Sequence, residues 1–133
     1  MDLRHCTASY LAMNGASLAE IAEVLGHIND TERIMAFRAL WFARNGPSPL
    51  PGFEQDNFIK YSYFNNRTLR SFADEFIHMR KSNNILFGSL GEEALQRQGT
   101  SNNKKVSVIA LLYIIAGHLT HHMAVLKERY LKE

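Results

Sequence analysis

All three prolines of the chain fall in one short stretch, Asn45-Gly46-Pro47-Ser48-Pro49-Leu50-Pro51-Gly52, and this stretch restricts the topology more than any other. Before it, Ser17 and Glu20 form a capping box. Leu18, Ile21, Val24, Leu25, Ile28, Thr31, Ile34, Met35, Ala39 and Phe42 then carry a helical stripe to about Arg44. After it, the next clear helix begins near Asn66 or Thr68, so roughly twenty residues intervene, a long connection for a compact domain. Such a length suits two helices that run parallel, because the chain must return along the whole bundle before the second one starts. Phe53, Phe58, Tyr61, Tyr63 and Phe64 equip the returning segment to pack as it goes.

The remaining segments are helical as well. Leu3 to Asn14 suits a short first helix, ended by Asn14-Gly15. A third helix is expected from about Arg67 to Leu90, with Leu69, Phe72, Phe76, Met79, Ile85, Leu86 and Leu90 as its apolar set. Gly91 to Lys105 is polar and reads as a loop with one helical turn at Glu92 to Arg97. The last helix occupies Val106 to Leu131, a run without proline that closes on Lys127, Arg129 and Lys132, cations suited to a helix C-terminus. No strand alternation of useful length is evident, so the expected fold is all-α, one domain over residues 1–133.

Composition narrows the function classes. A formal net charge of +2, with Lys and Arg scattered among acids, gives no electrostatic footprint for nucleic acid. Cys6 is the only cysteine, which excludes an intrachain disulfide and suits a reducing cytoplasm; on an apolar helix face it reads as core. Met1 to Asn14 lacks the pattern of a leader. Val106 to Ala116, the most apolar run, has about 11 residues against the ~20 that span a bilayer. The expectation is a cytoplasmic protein with neither membrane nor nucleic acid as a partner.

Three of the six histidines stand in Gly117-His118-Leu119-Thr120-His121-His122. In a helix, His118 and His122 are one turn apart on one face and can point at one ion, while His121 is turned about 100° away. Two imidazoles supply half a tetrahedral shell, and His27, on the buried stripe of the second helix, is the best candidate for a third ligand. The plain alternative is a pair of packing histidines, since this spacing occurs on many helices.

With these residues in place, the chain from about Glu20 onward resembles the DinB/YfiT-like superfamily of small metal-binding four-helix bundles. The resemblance lies in Glu23-Val24-Leu25-Gly26-His27-Ile28-Asn29-Asp30-Thr31-Glu32-Arg33-Ile34, in Arg38-Ala39-Leu40-Trp41-Phe42-Ala43-Arg44 and in Pro49-Leu50-Pro51-Gly52-Phe53-Glu54. It is strongest over Ile114-Ile115-Ala116-Gly117-His118-Leu119-Thr120-His121-His122, followed by Leu126-Lys127-Glu128-Arg129-Tyr130-Leu131. It implies a DinB-like four-helix bundle with a long crossover between the second and third helices. It also implies a metal triad of His27, His118 and His122, a divalent metal with zinc or nickel foremost, and thiol S-transfer or hydrolysis on a small-molecule thiol or electrophile. Family members are often dimers, so a homodimer is implied too.

The start of the chain resembles something else. Asp2-Leu3-Arg4-His5-Cys6-Thr7-Ala8-Ser9, with Leu25-Gly26-His27 downstream, is similar to the C-terminal catalytic segment of tyrosine recombinases, and a gene fusion would account for both resemblances. Met1 stands where that family's first histidine belongs, and Met35-Ala36-Phe37 offers no tyrosine nucleophile, so strand exchange is not expected. A fusion would leave a shortened first helix of ~18 Å against ~42 Å for Ser17 to Arg44, and the uncovered groove again points to dimerisation.

Asp30 and Thr31 follow His27 by three and four residues, where they can support a ligand or accept a proton; Asp30 is the candidate catalytic residue. Glu32 and Arg33 read as salt-bridge formers, and Tyr113 as a core residue or a pocket wall. Three functions follow: a metal-dependent transferase or hydrolase, a non-catalytic oligomeric metal-binding bundle, and a DNA-binding recombinase remnant.

Overall fold

The structure, a computed structural model, describes residues 18–130. The expected first helix, Leu3 to Asn14, with Arg4 and Cys6, lies outside the described residues. Helix α1 spans Leu18–Ala43. It ends where the sequence changes character: Asn45 takes a left-handed φ of 59°, Asn45 N–H donates to the Phe42 carbonyl at 3.1 Å and Gly46 N–H to the Trp41 carbonyl at 2.7 Å. These two bonds form a Schellman cap. The Trp41 indole N–H closes over it onto the Pro47 carbonyl at 2.7 Å.

The connecting segment contains a short helix α2, Gln55–Lys60, and a 3-10 turn at Phe64–Asn66. Thr68 caps helix α3, Leu69–Gly88, its hydroxyl accepting from Ser71 N–H at 3.2 Å. A single-turn helix α4, Glu92–Gln96, follows. Then comes a correction to the all-α expectation: β1, Gln98–Ser101, and β2, Lys104–Ser107, pair as an antiparallel hairpin with Ser101 opposite Lys104. Asn102 and Asn103 form its tight turn, both with positive φ, 50° and 61°, the geometry that matches strand twist in a two-residue loop. Strands of four residues, QGTS and KKVS, are too short and too polar to show alternation. Tertiary contacts hold them: Leu50 N–H donates to Thr100 O at 2.8 Å, and Gly99 lies so close to the Phe42 ring that no Cβ would fit. The fold is therefore predominantly helical with one hairpin, and the last helix, α5, spans Val108–Tyr130.

Burial sets the helix directions. Ile21, Leu25 and Ile28 of α1 share a core with Met123 and Leu126 of α5, whereas Ala39 and Phe42 share one with Val108 and Leu111; α1 and α5 are antiparallel. Helix α3 adds Phe72, Ala73, Phe76 and Met79 to the first core. Its polar contacts with α1 advance together along both chains. Asn29 meets Glu75 at 3.0 Å, and the buried Glu32 carboxylate accepts from Arg80 Nε and Asn83 Nδ2, each at 3.0 Å. Helices α1 and α3 thus run in the same direction, and the long segment between Ala43 and Leu69 makes the return.

Candidate metal centre

His27 is carried on α1 between Leu25 and Ile28, both nearly inaccessible, and its own ring is 7% exposed. The burial of that stripe against α5 turns the imidazole towards the facing helix. There, His118 and His122 project from one face one turn apart, as their spacing requires. The three Nε2 atoms converge: His118 Nε2 lies 3.0 Å from that of His27 and 3.1 Å from that of His122. One donor atom from each ring falls within 4.8 Å of the others, with ring planes at 67°, 81° and 65° to one another.

Two of these separations, 3.0 and 3.1 Å, suit a shared ion: nitrogens ~2.0–2.1 Å from one metal lie roughly 2.8–3.0 Å apart at octahedral angles and roughly 3.3–3.4 Å apart at tetrahedral ones. The His27–His122 pair lies within 4.8 Å. Three converging imidazole nitrogens cannot all be paired by hydrogen bonding, because a neutral ring carries one N–H and each Nε2 is then either one donor or one acceptor. Burial depresses the proton affinity of all three. The His27 pKa falls to about 4, first through desolvation and then through the nearby His122. His118 also falls to about 4, through desolvation and then His122, His27 and His121. His122 is lowered by desolvation and by His121. Near neutral pH the rings therefore present lone pairs, the form in which imidazole binds metal. Behind the centre, Thr31 Oγ1 lies 3.4 Å from His27 Nδ1, placed to hold the tautomer that leaves Nε2 free.

The profile of the DinB superfamily matches residues 18–126. The chain belongs to the DinB superfamily. No curated protein and no solved structure matches the chain. The family match begins at Leu18, so Asp2 to Ser9, which carry the recombinase resemblance, lie outside both the match and the described residues, and no comparison supports a recombinase segment or a fusion. His27, shared by the two resemblances, sits in the DinB histidine cluster.

Other expected residues fall in different places within this DinB bundle. Asp30 lies one turn beyond His27 and is not part of the triad. It is half-buried and lines a cavity of about 470 Å³ with Asn57, Phe58, Tyr61, Ser62 and Phe64. Its pKa is raised by desolvation and by Glu75, with Arg33 and Arg67 opposing. Tyr113 is 74% exposed, so it neither packs in the core nor walls the cavity. His121 is exposed, its ring 5.2 Å from that of His122. Arg33 and Glu32 do form ion pairs, with Glu75 and Arg80.

Glu75 was not among the expected residues. It collects Arg33 at 3.1 Å, Arg67 at 2.9 Å and Asn29 at 3.0 Å. Burial alone would raise its pKa, but the hydrogen bonds from Arg67 and Arg33, the charge of Arg67 and the Asn29 amide outweigh it and hold the carboxyl low. Its partners stand 42 and 46 positions back on α1 and 8 positions back in the connecting segment. No local pattern signals such a cluster.

Proposed function

We propose that this DinB-superfamily protein is a metal-dependent enzyme of the thiol S-transferase or hydrolase type, acting on a small-molecule thiol or electrophile. His27, His118 and His122 would hold the ion, with zinc or nickel the expected occupants. The observation that carries the reading is the convergence of three neutral imidazole Nε2 atoms from two helices. When bound, an ion with three protein ligands supplies Lewis acidity at an open position. The chain's own residues do the rest. Thr31 fixes the His27 ring, and Asp30, on the cavity wall one turn away, is the carboxylate that meets the substrate.

A homodimer in the cytoplasm belongs to the same proposal. Between Lys105 and Lys127 the sequence has no charged side chain. Even so, α5 leaves Tyr113, Ile114, Ala116, Gly117, Thr120, His121 and Ala124 exposed, a face suited to a second copy. Val106 to Ala116 is too short to span a membrane, but Val108–Arg129 as a whole is long and apolar enough by length and composition alone. The same face favours a second reading, a non-catalytic oligomeric metal-binding bundle.

Elemental analysis of untagged protein, alongside a His27→Ala/His118→Ala variant, tests the site. About one metal per chain, lost in the variant, is the expected result. Turnover on a panel of thiols and electrophiles then separates enzyme from metal-binding bundle. A folded protein that takes up neither zinc nor nickel would end both readings.

A further inference from the structure

The cavity beside Asp30 has a composition that the metal centre does not explain. Its volume of about 470 Å³ suits a small ligand. Three of its walls are aromatic: Phe58, 38% exposed, Tyr61, 72% exposed, and Phe64, buried at 7%. One wall is a carboxylate. The charges of Arg33 and Arg67 act on Asp30, but both arginines hydrogen-bond to Glu75 beside it, which also takes Asn29.

A half-buried carboxylate that lines one cavity with three aromatic residues is matched chemically by a cation that carries apolar groups. Aromatic rings attract ammonium groups through their quadrupole, and a carboxylate adds charge where water is partly excluded. Tyr61 already behaves in this way towards its own chain, with Lys60 Nζ 5.4 Å from the ring centre. An anionic ligand is poorly served, because Arg33 and Arg67 are both held on Glu75.

We propose that the cavity walled by Asp30, Phe58, Tyr61 and Phe64 binds a small organic ammonium group. This deepens the proposed function, resting on it only in placing Asp30 against the substrate: the substrate presents a cationic head to Asp30, one turn of α1 from the His27 ligand. Asn57 also lines the cavity and offers a polar contact to whatever the ammonium carries, while the Ser62 hydroxyl is held by Ile59 O and Phe64 N–H.

The test is an NMR titration of the full chain, with its metal content measured in the same samples, against choline, the neutral carbon isostere of choline, and propionate. Choline is expected to shift the resonances of Tyr61 and Phe58 and to bind about tenfold more tightly than its neutral isostere, with propionate inert. Asp30→Asn should abolish that preference without changing metal content, and Phe58→Ala should weaken choline in a second background. Equal binding of choline and isostere, preferential binding of propionate, no binding of any probe, or an Asp30→Asn variant that keeps the preference would each overturn the proposal. Because metal is assayed in parallel, loss of the metal reading would be seen separately from failure of the cavity to bind.

Discussion

At the scale of single residues, Thr31 is the polar group that backs the three rings. Its hydroxyl is the polar atom placed at His27 Nδ1, and valine would keep its shape without that oxygen. Thr31→Val is expected to leave the fold intact and to weaken metal binding roughly 10–100-fold, read by competition with a chelator; unchanged affinity would remove Thr31 from the site. The depressed histidines also make a pH prediction for the metal-free protein. His27 and His118 titrate at about 4 when folded, against 6.5 when free. Above 6.5 both states are neutral and the histidines contribute no pH dependence. Between 6.5 and about 4 the unfolded chain takes up protons that the folded chain refuses, so stability falls with pH across that window and levels off below it. Urea midpoints at a series of pH values should show the fall in metal-free protein and a shallower one in the His27→Ala/His118→Ala variant.

Two contacts between elements make predictions of different size. Gly26 lies under the Phe64 ring with no room for a Cβ. Alanine would gain about 1 kcal/mol in helix propensity but must displace that ring, and overpacking of this kind costs about 1–3 kcal/mol. Gly26→Ala is therefore expected to destabilise by roughly 1 kcal/mol net. One residue along α1 from His27, it would also move the ring that walls the Asp30 cavity. The second contact is the buried ion pair between α1 and α3. Glu32 is 3% exposed and Arg80 supplies its cation. Removing one partner leaves a buried charge uncompensated, so Arg80→Ala should cost about 3–5 kcal/mol in chemical denaturation. A loss below 1 kcal/mol would mean that Asn83 and water suffice to hold the carboxylate.

For the whole molecule, the open question is the uncharged face of α5. A helix without a charge between Val106 and Leu126 normally lies inside a protein, yet only 22% of its most apolar window is buried. A second copy across Tyr113, Ile114 and Gly117 would cover it, with Gly117 open enough for close helix approach. Tyr113→Lys, at a position that contributes nothing to the core, should turn a dimer into a monomer in sedimentation and leave metal content unchanged. A wild-type monomer in the soluble fraction would assign that face to another part of the chain, and recovery with membranes would assign it to lipid.

The long helices were legible in the sequence because their signals are local. Ser17 and Glu20, the stripe from Leu18 to Phe42 and the proline cluster mark α1 within one or two residues of its bounds, and the i, i+4 spacing of His118 and His122 determines that they share a face whatever surrounds them. His27 stood out as their partner by its place on the stripe of α1 and the resemblance added to that, but nothing local joins positions 91 apart. The tertiary structure alone decided the rest. Strand β1 is held by Leu50 and Phe42 and β2 pairs with it; Glu75 becomes a hub because α1 and α3 run in the same direction; Tyr113 faces outward although its sequence surroundings are apolar. In each of these cases the deciding partner lies far away in the chain, and periodicity within one segment carries no information about which distant surface it will meet.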